Sequence, residues 1–239
     1  MPLGVTGIVM KTTFIVILCI LSGCAASTTD VSPPTSGQPS PGISQSDVRA
    51  LLLAGNKRFV DGAMESHSWQ QEKVVKTGTY GQIPSIGVLG CADSRIPVEI
   101  VFDVGVGDLF VNRVAGGFET KESSATFEYG VEALGVHTIL VLGHTKCGAV
   151  AATLSDKDLP GNMNLLVKAI RPGLAHLEKG APGQSPEALL DAAVEANTRF
   201  QMKQVLDTSD LLRAAHAQGR LQVFGAIYDV DTGKVRLLD

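Results

Sequence analysis

Two short clusters of reactive side chains stand out in the 239-residue sequence. Residues 91–95 read Cys-Ala-Asp-Ser-Arg, and residues 144–148 read His-Thr-Lys-Cys-Gly. Two thiolates and one imidazole, from Cys91, His144 and Cys147, are soft to borderline donors that suit zinc. Three protein ligands also leave the fourth coordination position open for chemistry. The His-x-x-Cys spacing alone is a weak signal, whereas the two clusters together predict a catalytic zinc site.

Each cluster directly follows a short apolar run that is typical of a buried parallel strand. Residues 85–90 precede the first cluster, residues 138–142 precede the second, and residues 109–111 form a third such run. In open parallel sheets, ligands bind in the crevice beyond the carboxyl ends of the strands. We therefore expect two neighbouring strands to bring Cys91 and Cys147 together, although the cysteines lie far apart in the chain.

The remaining chain after Ile43 alternates between helical and strand patterns. Serines at 44 or 46, 123 and 209 are predicted to cap helices. The predicted helices cover about 46–60, 123–134, 164–179 with an interruption at Pro172, 185–206 and 209–219. The tail is predicted to form a strand, a tight turn and a return strand, over 221–228, 231–233 and 235–238. The expected fold class is α/β, a mostly parallel β-sheet flanked by helices, in one domain over residues 43–239.

The N-terminal segment is predicted to be an export signal. Lys11 precedes an apolar run over residues 14–21 that is too short for a membrane span of about 20 residues but suits the core of a signal peptide. The run ends in Leu-Ser-Gly-Cys24, which resembles the lipobox of bacterial lipoproteins. We expect a signal peptide over residues 1–23, lipidation of Cys24 and a flexible Ser/Thr/Pro/Gly-rich tether over residues 24–42.

These features together predict an exported protein that a lipid anchors to the membrane of the bacterial cell envelope, with its domain facing the periplasm. The chain carries 24 acidic and 20 basic residues and a net charge of −4. An acidic chain has no general attraction to phosphate backbones, so nucleic acid is not expected as a partner.

The paired Cys-x-Asp-x-Arg and His-x-x-Cys-Gly motifs resemble those of the β-class carbonic anhydrases. The resemblance covers about residues 45–238 and includes the central segment from Phe102 to Gly116. It implies a β-carbonic-anhydrase-like fold and zinc-dependent, reversible hydration of carbon dioxide to bicarbonate and a proton by a zinc-bound hydroxide. It also implies a homodimer or a higher even oligomer.

The resemblance assigns roles to individual residues. It implies that the zinc ligands are Cys91, His144 and Cys147. The catalytic pair would be Asp93 and Arg95, with Asp93 accepting the hydrogen of the nucleophile and Arg95 holding that carboxylate. Gly148 would bind substrate through its backbone N–H.

Two positions depart from the family pattern. Val104 stands where some members place a substrate-orienting Gln, and Gly117 stands where many have Asn or His. The hydrogen bond of that Gln side chain is therefore absent or supplied by another group.

Two alternatives remain open from the sequence. The same fold and metal could hydrolyse carbonyl sulfide or carbon disulfide. The chain could also be a noncatalytic, lipid-anchored zinc or disulfide protein, because Cys91 and Cys147 are the cysteines left after Cys19 and Cys24 are assigned to the signal and the lipid, and exported pairs commonly form disulfides. The presence of Asp93 beside the cluster argues against this second alternative.

Overall fold

The computed structural model describes Met1 and residues 43–65, 71–155, 157–177 and 183–238. The predicted cleavage site, the lipidation site Cys24 and the tether over residues 24–42 lie outside these described residues. Within them, no helix is long and apolar enough to cross a bilayer.

Five strands of the described residues form one sheet. In chain order they are β1 Ile86–Gly90, β2 Leu109–Arg113, β3 Thr138–His144, β4 Gln222–Tyr228 and β5 Val235–Leu238. Their order across the sheet is β2-β1-β3-β4-β5, and all pairs are parallel except β4 with β5. The predicted mostly parallel α/β sheet with a return strand at its C-terminal end is therefore confirmed.

Eight α-helices accompany the sheet in the described residues. They are α1 Gln45–Val60, α2 Gln71–Tyr80, α3 Val98–Val101, α4 Lys121–Tyr129, α5 Gly148–Leu154, α6 Asn164–Ile170, α7 Pro186–Asp207 and α8 Asp210–Ala217. Ser209 caps α8 through its side chain, as the sequence predicts, and Ser185 caps α7 in the same way. Ser44 occupies the N-cap position of α1, although its side chain makes no capping bond there.

The predicted start of the fourth helix was wrong. Thr120, not Ser123, is the N-cap of α4, and the two form a reciprocal capping box. Ser123 N donates to Thr120 Oγ1 at 3.2 Å, while Thr120 N donates to Ser123 Oγ at 2.8 Å. The helix therefore begins two residues earlier than predicted, because Ser123 serves at the third helical position.

Side chains from the sheet pack into two hydrophobic clusters, one on each face. Along β3, Leu140 and Leu142 join the cluster that contains Leu52 of α1, whereas Ile139 and Val141 join the cluster with Phe127 of α4. This alternation is the two-residue period of a strand that is buried on both faces. The site-bearing ends of β1 and β3 are thus held between two packed layers of helices.

A buried asparagine fastens α1 to the sheet. Asn56 Nδ2 donates to the carbonyls of Val101 and Gly233 at 3.1 and 2.8 Å, and its Oδ1 accepts from Val235 N at 2.8 Å. These bonds satisfy three backbone groups, which would otherwise be costly to bury. The side chain therefore links α1 to α3 and to the β4-β5 hairpin.

Candidate metal centre

The cysteine and histidine side chains converge because their strands are neighbours. β1 pairs with β3 in parallel, and Gly90, the last residue of β1, lies opposite Leu142. Cys91 follows β1 directly, and His144 is the last residue of β3. Cys147 stands just after β3, at the N-cap position of α5. The carboxyl ends of two adjacent strands therefore deliver all three residues to one edge of the sheet.

The three potential ligand atoms form a compact group. The Sγ atoms of Cys91 and Cys147 and a ring nitrogen of His144 all lie within 4.8 Å of one another. All three residues are buried, with exposed fractions of 6%, 3% and 1% respectively. In the part of the chain that the structure describes, no other group of three or more His, Cys, Asp or Glu residues could hold a metal ion.

The ring of His144 is oriented for ligation through Nε2. Its Nδ1 lies 2.9 Å from the carbonyl oxygen of Thr145, which as an acceptor requires the proton on Nδ1. Nε2 then carries the lone pair, and it is buried without a hydrogen-bond partner among the described residues. A backbone carbonyl that fixes the tautomer in this way is the usual support of a metal-binding histidine.

The pKa values of the two thiols are shifted in opposite directions. A hydrogen bond from Cys147 lowers the pKa of Cys91 to about 4, and the Gly116 N–H, 3.2 Å from Cys91 Sγ, acts in the same direction. The same pairing with Cys91, together with burial, raises the pKa of Cys147. A bound cation would favour ionisation of both sulfurs together.

This donor set fits zinc. Two sulfurs and one nitrogen match the ligand preferences of zinc, and a buried nitrogen lone pair is left for it. Cys91 and Cys147 are both free thiols in the structure, so the disulfide alternative is wrong for this geometry.

Asp93 and Arg95 form a bidentate ion pair beside the three ligand atoms. Arg95 Nε donates to Asp93 Oδ1 at 2.9 Å, and Arg95 Nη2 donates to Oδ2 at 2.7 Å. These bonds hold the pKa of the Asp93 carboxyl well below its usual range. Asp93 Oδ2 lies 4.0 Å from His144 Nε2. An ionised carboxylate thus stands beside the metal ligands while its guanidinium partner faces solvent.

A family model described as carbonic anhydrase matches residues 86–235. The chain belongs to the carbonic anhydrase family. A curated relative, "Carbonic anhydrase 2" of Mycobacterium tuberculosis, is 33% identical over 199 residues, which cover 79% of this chain and 90% of the relative.

Solved structures place the chain in the β class of carbonic anhydrases. The β-carbonic anhydrase of Coccomyxa in complex with acetazolamide superposes with a TM-score of 0.64 and 31% identity, covering 78% of this chain and 84% of that one. A tetrameric β-carbonic anhydrase of Sordaria macrospora also gives a TM-score of 0.64, with 25% identity and coverage of 80% and 97%.

The protein is thus a β-carbonic anhydrase, a zinc enzyme that catalyses the reversible hydration of carbon dioxide to bicarbonate. The predictions of fold class, activity and metal are confirmed. The noncatalytic alternative was wrong.

The structure gives a physical reason for one of the two departures from the family pattern. Gly117 has a φ of +59°, and a Cβ there would lie 3.2 Å from Gly90 C and 3.3 Å from Cys91 N. Glycine relieves both the strained backbone conformation and the close approach to the loop that carries Cys91. Val104 is half-buried against the hydrophobic core, so its side chain offers packing and no hydrogen bond at this position of the carbonic anhydrase fold.

Sequence reasoning assigned no separate role to Arg113, which supports the cysteine loop. Arg113 Nε donates to the carbonyl of Cys91 at 2.7 Å, and its Nη2 donates to the carbonyl of Asp93 at 2.6 Å. Arg113 ends β2, next to β1 in the sheet, so the parallel register places it opposite Gly90. The strand pattern alone could have suggested this position, because Arg113 follows an apolar run just as the two clusters do.

Proposed function

We propose that Cys91 Sγ, His144 Nε2 and Cys147 Sγ are the three protein ligands of the catalytic zinc. The observation that carries this proposal is the convergence of the three buried donor atoms within 4.8 Å, with His144 Nε2 unpartnered among the described residues. When bound, zinc supplies a Lewis acid that makes a water molecule acidic enough to act as a nucleophile near neutral pH.

Asp93 acts in this proposal as the acceptor that orients the nucleophile. The Arg95 guanidinium keeps the carboxylate ionised, so both of its oxygens only accept hydrogen bonds. Asp93 Oδ2 lies 4.0 Å from His144 Nε2 and can accept the hydrogen of the nucleophile, which directs a lone pair of the nucleophile toward carbon dioxide. Arg95 positions the carboxylate through side-chain hydrogen bonds to both oxygens. Its backbone N–H also donates to Oδ1 at 3.0 Å.

Gly148 is proposed to bind a substrate oxygen through its backbone N–H. Gly148 is exposed at the start of α5, next to Cys147. Apart from its chain neighbours and its own helix backbone, no atom of the described residues lies within 4 Å of the point where a Cβ would stand. This open space lets a small substrate approach the peptide plane directly.

Metal analysis combined with hydration kinetics tests the assignment of the site. We expect about one zinc per chain in the purified protein, because three ligands form one site. Removal of the metal by a chelator should abolish carbon dioxide hydration, and added zinc should restore it. Activity that persists in metal-free protein contradicts the proposal.

We also propose that the enzyme is exported and held at the membrane of the bacterial cell envelope by a lipid on Cys24, with its domain facing the periplasm. Support comes from the short apolar run over residues 14–21 after Lys11 and from the Leu-Ser-Gly-Cys ending. The polar composition of residues 25–42 gives a tether long enough to separate the domain from the bilayer surface.

Replacement of Cys24 by serine is expected to abolish fatty-acid labelling and to leave the signal peptide uncleaved at this site. Cys24 is the single acylated residue in this proposal, so the loss of fatty-acid labelling should be complete. Zinc content and turnover should stay unchanged. Metabolic labelling and fractionation measure the effect. Cys19→Ser is the matched control, since Cys19 lies within the predicted signal peptide and should be dispensable. Unlipidated wild-type protein in the cytoplasm would contradict the proposal.

The enzyme is further proposed to work as a homodimer or a higher even oligomer. The solved β-carbonic anhydrase of Sordaria macrospora is tetrameric, which supports this proposal. So do apolar side chains on and after α2 that the single chain leaves exposed, among them Val75 at 53%, Tyr80 at 80% and Ile83 at 60%. Sedimentation of the purified protein should give an even multiple of the chain mass. A monomeric mass at micromolar concentration would rule the assembly out.

A further inference from the structure

A backbone hydrogen bond reaches Cys91 from the corner after β2. Gly116 N–H donates to Cys91 Sγ at 3.2 Å. Gly116 has a φ of +90°, and a Cβ at this position would lie 2.5 Å from Ile170 Cδ1. A side chain at this position would strain the backbone and require the Ile170 side chain to move, so glycine suits this corner.

Two buried amide side chains of α7 hold this corner. Asn197 Nδ2 donates to the carbonyl of Gly116 at 3.0 Å, and Asn197 Oδ1 accepts from Gln201 Nε2 at 3.1 Å. Gln201 Oε1 in turn accepts from Glu119 N at 3.0 Å. Asn197 is 3% exposed and Gln201 is 1% exposed. A continuous chain of hydrogen bonds therefore runs from Glu119 through α7 to the corner that contacts Cys91.

The backbone groups at the two ends of this series of hydrogen bonds fix the orientation of both amides. Glu119 N can only donate, so the oxygen of Gln201 must face it and the NH₂ group must face Asn197. The oxygen of Asn197 is then taken, and its NH₂ group faces the Gly116 carbonyl, which can only accept. If either amide were flipped, two donors or two acceptors would face each other without a hydrogen bond. Leaving buried polar groups unbonded in this way costs free energy of folding.

We propose that Asn197 and Gln201 are positioning residues of the metal centre, which hold Gly116 so that its N–H supports the Cys91 thiolate. This inference rests on the proposed zinc ligation by Cys91 and deepens it. A hydrogen bond to a thiolate draws off part of its negative charge and fixes the direction of the sulfur lone pairs. Loss of such outer-shell partners typically lowers metal affinity or activity about 10-fold to 100-fold.

A merely structural role makes a different prediction. If the amides only pin α7 to the neighbouring loop, their loss should lower thermal stability and leave the electronic environment of the sulfur unchanged. Asn56 provides a matched comparison, because it is also a buried asparagine that bonds backbone groups but contacts α3 and the β4-β5 hairpin instead of the metal corner.

The experiment compares Asn197→Ala with Asn56→Ala in the full-length protein. The zinc dissociation constant is measured by chelator competition, and the sulfur-to-metal charge-transfer absorption is measured after substitution with cobalt(II). We expect Asn197→Ala to raise the zinc dissociation constant about 10-fold or more and to shift the charge-transfer band. Asn56→Ala should lower the thermal midpoint while leaving both metal readouts at the wild-type values.

Gln201→Met is the second variant, in case Asn197→Ala does not fold. Methionine keeps most of the volume but removes the support of the Asn197 amide, so a shift in the same direction and of smaller size is expected. Wild-type zinc affinity and an unshifted band in the folded variants would overturn the positioning role. A wild-type protein without a sulfur-to-cobalt band would instead overturn the proposed ligand set itself, so the two failures are distinguishable.

Discussion

Replacement of His144 by alanine is expected to empty the enzyme of zinc and to lower the rate of carbon dioxide hydration by more than about 10³-fold. His144 Nε2 is the one nitrogen donor of the proposed set, and the two remaining thiolates cannot form a three-ligand site. Cys147→Ala should give the same result through loss of a sulfur. Metal content of the purified variants and stopped-flow hydration rates provide the measurement.

The matched control for this loss is His176→Ala. His176 is exposed and lies outside the metal centre, so this variant should keep its zinc and its turnover. Circular dichroism of each variant separates loss of metal from loss of fold. If His144→Ala retained one zinc and full turnover, the catalytic metal would have to lie at another position in the chain.

Replacement of Asp93 by asparagine is expected to leave zinc in place but to lower turnover by about 10-fold to 100-fold. Asparagine keeps the shape of the side chain but offers one acceptor oxygen instead of two, and Arg95 competes for it. Zinc content together with hydration kinetics at saturating carbon dioxide distinguishes this effect from metal loss. Full turnover in Asp93→Asn would remove Asp93 from the mechanism.

The pH dependence of this effect follows from the pKa of Asp93. Hydrogen bonds from Arg95 lower that pKa in the folded protein, so the carboxylate stays ionised well below the unperturbed value of about 3.9. The ratio of wild-type to Asp93→Asn turnover should therefore be constant from about pH 6 to pH 8. Asp61→Asn is the control, because Asp61 pairs with Lys57 at the exposed end of α1 and should not affect turnover.

The metal cluster was predictable from sequence because its signals are local. Each cluster follows a short apolar run, and the carboxyl ends of parallel strands lie at the same edge of the sheet. The strands that became β1 and β3 were recognisable from their apolar residues alone. The cap of α8 was equally local, since Ser209 accepts from the backbone N–H three residues ahead.

Three helices, α2, α3 and α5, escaped prediction. α3 and α5 span four and seven residues, which is too short for a repeat to show. α2 buries none of its residues within the single chain. It is held instead by tertiary contacts, such as the ion pair of Lys73 with Asp108 at 2.5 Å.

The sequence by itself determined which donor atoms meet at the metal centre, since residue type and strand ends decide that. Tertiary structure alone decided what supports them. Asn197 and Gln201 lie more than a hundred residues after Cys91 and belong to no motif, although amides four positions apart on a buried helix face are a visible anomaly. They reach the centre only because α7 packs against the sheet and the Gly116 corner, where a buried carbonyl must find a donor.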